Sequence, residues 1–196
     1  DEAYDLMAEN LNRVKEVYGA KSVVFYAGYP KWYRPALLRL ANAFGSPNFC
    51  TESSTCFQAS ALAWRSLYGN GICFPDLAHT KTLLIWTSNL FHSNTPMGKM
   101  FRSLKERGVR IIVVDPRSTV TVKEADLHLQ LTPGTDGALA LAMAHVIIEE
   151  DLYDKEFVEK YVSGFEEYKN YVRTFTPEKA QEITGVDADL IRQAAR

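Results

Sequence analysis

The chain has 196 residues, 46% of them hydrophobic and 23% charged, with a formal net charge of −2. That length suits one α/β domain, or a domain with a small appendage, and the composition is ordinary for a globular protein. A charge so close to neutral makes no electrostatic case for nucleic acid or a membrane surface. No apolar run approaches the roughly 20 residues of a spanning helix, so direct membrane insertion is not expected.

The amino-terminal stretch DEAYDLMAENL is acidic and already helical, with no basic or apolar leader pattern. Ala3, Leu6, Met7, Leu11, Val14 and Tyr18 recur at helical spacing, and Gly19 closes that amphipathic helix. Asp1 is expected within the first helical turn and Arg196 at the end of an uncapped helix, as though both ends were cuts in a longer protein. Ser22 to Ala27 reads as a short buried strand, followed by the turn Gly28-Tyr29-Pro30. A helix with Pro35 in its first turn runs to Gly45; Pro47 to Cys50 is extended, and Thr51 to Thr55 is a run of small polar residues. Cys56 to Leu67 is helical again, and Gly69, Gly71 and Pro75 mark a loop.

The second half alternates strand and helix. Thr82 to Thr87 is a strand, Pro96 opens a helix that Gly108 closes, and Ile111 to Val114 is an unbroken β-branched run. Such a run reads as a strand buried on both faces, and Pro116 stops it at Asp115. Leu127 to Leu131 is a further strand, and Pro133 to Asp136 a turn in which Thr135 or Asp136 is placed to cap the next helix. Residues 151–196 form a more polar, helical carboxyl-terminal portion. The alternation predicts right-handed crossovers, a parallel sheet and a single α/β domain over residues 1–196.

Three strand ends gather polar groups: Ser88-Asn89, Asp115 with Arg117, Ser118 and Thr119, and Gly134-Thr135-Asp136. In open α/β sheets the carboxyl ends of the strands are where ligands bind. The carboxylates suit ribose hydroxyls or the donor edge of a purine, and Arg117, Ser118 and Thr119 suit phosphate oxygens. Gly134 permits close backbone approach, and a helix start favours an anion. A single such turn is more often a helix cap; three at successive strand ends favour a ligand site.

The standard nucleotide signatures are absent. Gly69-x-Gly71 has Phe74 where a third glycine belongs, and Gly98-Lys99 lacks the rest of a phosphate loop. The three cysteines, Cys50, Cys56 and Cys73, fit neither a zinc site nor a disulfide framework, and by count alone a buried reduced thiol is expected for each. Cys56 has a sharper reading. It follows Ser53-Ser54-Thr55 and opens a helix, where the macrodipole favours a thiolate able to ligate a soft metal or act as a nucleophile. His79, His128 and His145 read as surface or packing residues, and His92 as a weak candidate for a phosphate. Trp32, Trp64 and Trp86 read as core or rim.

With these residues assembled, the chain resembles the molybdopterin oxidoreductases of the dimethyl sulfoxide reductase family over nearly its whole length. The likeness is densest in GVRIIVVDPRSTVTVKEADLHLQLTPGTDGALALAM, with GSPNFCTESSTC and WTSNLFHSNTP before it. It implies a three-layer αβα, Rossmann-like domain of the formate dehydrogenase and dimethyl sulfoxide reductase type. It also implies a molybdenum or tungsten ion held by two pterin guanine dinucleotides, with Ser88, Asn89, Asp115, Arg117, Ser118, Gly134 and Asp136 binding one of them. Cys56 matches the protein ligand to the metal and thus the catalytic position. Most members have Gly-x-Asn-Pro where this chain has Thr87-Ser88-Asn89-Leu90.

The family's amino-terminal cysteine cluster for an iron–sulfur centre, and the carboxyl-terminal domain that helps bind the second pterin, are absent from this sequence. A fragment of a larger subunit is therefore expected, inactive alone, since half the cofactor's cradle is elsewhere. The whole subunit would change a small substrate by two electrons and pass them to an iron–sulfur partner subunit, on the cytoplasmic or periplasmic side of a prokaryotic cell. Two other readings stand beside this one: a cofactor-free structural domain of a respiratory iron–sulfur subunit, and an unrelated nucleotide-binding domain.

Overall fold

Ile111 to Val114, the β-branched run, forms the buried middle of a three-stranded parallel sheet, every one of its residues at most 4% exposed. The computed structural model describes residues 1–72 and 74–196, so the expectation for Cys73 falls outside the described residues. The chain divides into two units, Asp1–Phe74 and Pro75–Arg196.

In the first unit α1 (Glu2–Tyr18) precedes β1 (Phe25–Ala27), α2 (Arg34–Phe44), β2 (Phe49–Thr51), a 3₁₀ turn (Glu52–Thr55) and α3 (Phe57–Tyr68). Asp1 stands at the N-cap position of α1, just outside the first turn, and its side chain makes no cap bond. β1 and β2 pair in parallel with Phe25 opposite Phe49 and Tyr26 opposite Cys50. The first strand begins later than its apolar run suggests because Ala20–Ser22 closes a 3₁₀ turn. α2 opens on Arg34-Pro35 and ends at Gly45, whose φ of 91° is the left-handed cap that glycine adopts freely.

The second unit carries β3 (Thr82–Trp86), α4 (Leu90–Ser93), α5 (Thr95–Glu106), β4 (Arg110–Val114), α6 (Val120–Lys123), β5 (Leu127–Leu129) and α7 (Asp136–Glu149). It ends with α8 (Lys155–Tyr161), α9 (Phe165–Val172), α10 (Pro177–Thr184) and α11 (Ala188–Ala195). The strand order is β3-β4-β5, all parallel, with Trp86 opposite Val114 and Val114 opposite Leu129. β5 stops at Leu129, two residues before its apolar run ends. The ladder stops there because β4 turns away at Asp115 and Pro116 has no N–H to offer.

Alternation along β4 builds two cores. Ile112 and Val114 face a cluster with Leu129, Leu139, Met143, Ala180 and Ile191, contributed by β5, α7, α10 and α11. Ile111 and Val113 face the other way, onto Ile85, Phe101 and Val122 from β3, α5 and α6. Helices therefore cover both faces of the sheet, which is the three-layer arrangement and the reason the strand reads as continuously apolar. Among the described residues no helix is long and apolar enough to cross a membrane.

Candidate functional site

In the second unit, the carboxyl ends of three neighbouring parallel strands bring together the turns that follow them. After β3 comes Thr87, whose N–H donates to the Val114 carbonyl at 2.7 Å and whose φ is 51°. Positive φ is strained for a β-branched residue. Ser88 and Asn89 follow, both half-buried. The Asn89 side-chain oxygen accepts from Thr121 Oγ1 at 3.2 Å, tying this turn to the fully buried Thr121 of α6. Leu90 is the first residue of α4, where a proline's missing N–H would cost nothing, so its presence in place of proline preserves the helix start.

After β4, Asp115 is 2% exposed and its Oδ1 accepts the Arg117 N–H at 2.8 Å. That bond closes a tight turn of the kind aspartate favours. Two strand-side groups brace the same turn: His128 Nε2 donates to the Asp115 carbonyl at 2.8 Å, and Gln130 Nε2 to the Pro116 carbonyl at 3.0 Å. Arg117 and Ser118 stand exposed at the tip. Thr119 is used locally, its hydroxyl accepting from the Val122 N–H at 3.3 Å to cap α6.

After β5, Gly134 has a φ of 86°, and a Cβ built on it meets nothing within 4 Å. The glycine is required by the backbone, and the space above it is open. The expected capping of α7 by Thr135 or Asp136 is not what is found. The Thr135 hydroxyl donates back to the Thr132 carbonyl at 2.6 Å, and the helix has no side-chain cap. The Asp136 carboxylate instead accepts the Trp86 indole N–H at 2.8 Å, a bond from the end of β3 to the start of α7. Trp86, read from sequence only as core or rim, is thus part of the site; no local pattern could have revealed it, since its partner lies 50 positions away.

In the first unit Cys56 stands immediately before α3, exposed, with its thiol making no cap bond. It lines a cavity of about 560 Å³ with Glu52, Ser53, Phe57, Trp64 and Phe74. The expectation of buried thiols fails for both described cysteines: Cys50 and Cys56 are free and exposed. Cys50 shares the outward face of the small sheet with Tyr26, opposite the inward Phe25 and Ala27, and Cys56 precedes a helix rather than lying within one.

The turn that carries Cys56 is pinned by Arg34. Its guanidinium pairs with Glu52, donates to Ser53 Oγ at 3.2 Å and donates to the Gly28 carbonyl at 3.0 Å. Desolvation raises the Glu52 carboxyl, but the hydrogen bond and charge of Arg34 outweigh it and hold the group below its ordinary value. Among the described residues no group of three or more His, Cys, Asp or Glu could hold a metal ion. Cys56 could by itself offer a metal one soft thiolate ligand, which is compatible with a metal that brings its own organic ligand set.

The remaining histidines behave as packing or surface groups. His145 pairs with the Val172 carbonyl at 3.1 Å and His79 with Asp76 at 2.8 Å. His92 is exposed on α4.

The family model described as molybdopterin oxidoreductase matches residues 1–194. Acetylene hydratase of Syntrophotalea acetylenica is 40% identical over 200 residues, covering 100% of this chain and 27% of that protein. Formate dehydrogenase H of Escherichia coli is 36% identical over 203 residues, covering 100% and 28%. The thiosulfate reductase molybdopterin-containing subunit PhsA of Salmonella typhimurium is 36% identical over 196 residues, covering 100% and 26%. Among solved structures, acetylene hydratase from Pelobacter acetylenicus superposes with a TM-score of 0.73 at 37% identity, over 99% of this chain and 27% of that one. The chain belongs to the molybdopterin oxidoreductase family and has the fold of the dimethyl sulfoxide reductase group. It spans a little over a quarter of the length of the relatives it matches.

Proposed function

We propose that this chain holds one of two pterin guanine dinucleotides in a molybdenum or tungsten oxidoreductase, and that Cys56 supplies the protein's ligand to the metal. The observation that carries this reading is the convergence of Ser88-Asn89, Asp115-Ser118 and Gly134-Asp136 at the ends of three adjacent parallel strands. Arg117 and Ser118, exposed at a braced tip, offer a cation and a hydroxyl to phosphate oxygens. Asp136 offers a carboxylate to the donor edge of guanine, and buried Asp115 builds the turn between them. The open space over Gly134 admits the nucleotide backbone.

When bound, the metal and pterins supply a centre that changes oxidation state by two electrons at a small substrate. This chain's contribution is to orient the nucleotide, offer the Cys56 sulfur, and wall the adjoining cavity with aromatic side chains that limit water. An iron–sulfur cluster in a segment outside this sequence, and an iron–sulfur partner subunit, would carry the electrons.

A second reading starts from the cavity beside Cys56, where Tyr29, Phe57, Trp64, Ile72 and Phe74 supply an apolar part of a lining that also holds Lys31, Glu52, Ser53 and Gln58. That apolar part suits a small apolar substrate, and the 40% identity to an acetylene hydratase points the same way. In that case water would be added to an unsaturated substrate with no net electron transfer, and turnover would not need an external electron acceptor.

The test is metal and pterin analysis of the full-length subunit, wild type beside Cys56→Ser. About one molybdenum or tungsten with two pterin guanine dinucleotides, and a metal spectrum altered by the substitution, is the expected result. Absence of metal and pterin in protein matured in a competent host would make this a structural domain instead.

A further inference from the structure

Trp86 ends β3 and Asp136 begins α7, and the indole N–H donates to Asp136 Oδ1 at 2.8 Å. The ring is held from below: Trp86 is partly buried against the cluster containing Ile112, Val114, Leu129 and Leu139, and its register partner is Val114. Asp136 is likewise fixed, following Gly134 at φ 86° and standing in the first turn of α7. The N-cap of α7 is Thr135, whose side chain makes no cap bond, and among the described residues the Trp86 indole is the hydrogen-bond donor to the Asp136 carboxylate. The indole bond therefore settles the plane of this carboxylate.

We infer that Trp86 is a positioning residue for base selectivity, acting through Asp136; the inference rests on the guanine reading of that carboxylate given above. Guanine presents two parallel donors, N1–H and the exocyclic N2 amine, to a carboxylate in the plane of the base. A carboxylate is acceptor-only, with roughly four lone-pair sites over its two oxygens. With one site on Oδ1 engaged by the indole, the remaining sites on both oxygens can take the two guanine donors, provided the carboxylate does not rotate. Hypoxanthine lacks the exocyclic amine and makes one of these bonds; adenine has an acceptor at N1 and opposes the carboxylate. A carboxylate free to turn keeps its charge but loses the paired geometry, so removing the indole donor should lower discrimination more than affinity.

The experiment uses the full-length subunit produced without its cofactor, with guanosine and inosine monophosphates as probes in equilibrium binding. Wild type should bind the guanosine nucleotide roughly ten-fold more tightly, the value of one charge-assisted hydrogen bond. Trp86→Phe keeps an aromatic ring against Val114 and Leu139 but has no N–H, and should bring the ratio to within about three-fold of unity. Equal losses for both nucleotides with the ratio unchanged would reduce Trp86 to packing and overturn the inference while leaving the guanine reading intact. No preference in wild type would overturn the guanine reading itself, and this inference with it. If Trp86→Phe does not fold, wild type carrying 6-fluorotryptophan answers the same question. The Trp86 fluorine resonance should move further with the guanosine than with the inosine nucleotide, and equal shifts overturn the proposal.

Discussion

Thr87 donates its amide to the carbonyl of Val114 at 2.7 Å while sitting at φ 51°, so the last ladder bond between β3 and β4 is made by a residue in left-handed conformation. The family pattern Gly-x-Asn-Pro has glycine at this position, and the backbone gives the reason: glycine enters that region without a Cβ clash. Thr87→Gly is accordingly expected to stabilise the protein by about 1 kcal/mol, the relief of one left-handed β-branched residue less the entropy glycine brings. Denaturant unfolding measures it, and a destabilisation of similar size would mean that the threonine side chain contributes more than its backbone costs.

Gly134 poses the same question with the opposite sign. Its φ is 86° and no atom of this chain lies within 4 Å of a built Cβ. Gly134→Ala should cost about 1–2 kcal/mol of stability through the backbone alone. In the full-length subunit it should also lower the pterin nucleotide content beyond what the stability loss explains, because the methyl group enters the space the nucleotide would occupy. Unchanged nucleotide content in folded protein would place the ligand elsewhere.

Arg34 and Glu52 form one unit with Ser53 and the Gly28 carbonyl, under the turn that leads to Cys56. Arg34→Ala and Glu52→Ala should each lower the melting temperature and open the segment around residues 52–56 to protease. The double variant should be no worse than Arg34→Ala, since the two residues serve one interaction. Additive losses would show that they act separately.

α10 and α11 are joined by Arg192, which bonds Glu178 and also Asp189 at 3.1 Å. The hydrogen bond and charge of Arg192 hold the Glu178 carboxyl below its ordinary value of 4.5. A carboxyl lowered on folding contributes stability that is fully present above the unfolded value and is lost as pH falls through the folded one. Glu178→Gln should therefore unfold slightly more easily than wild type at neutral pH, and the two should converge as pH falls below the carboxylate range. Glu178 is exposed and Arg192 only half-buried, so the difference should also shrink in high salt. A gap that persists in acid would trace to packing.

The elements and the polar turns at the ends of the strands were legible in the sequence because the signals are local. Four β-branched residues in a row mark a strand covered on both sides, Pro116 marks its end, and left-handed glycines close the helices at Gly45 and Gly69. The family likeness in VVDPRST and LTPGTDGALALAM rests on the same contiguous stretches. What the sequence could not reveal lies in pairings between residues far apart along the chain. Trp86 with Asp136, Asn89 with Thr121 and Arg34 with Glu52 are separated by 50, 32 and 18 positions. A hydrogen bond of that kind leaves no periodicity or composition behind it. The helix start at Asp136 illustrates the difference: its sequence reads as a cap, but tertiary packing sets an indole beside it, and that donor holds the carboxylate. Exposure follows the same division, since the outward thiols of Cys50 and Cys56 depend on which face each element buries, and only the packed structure sets that.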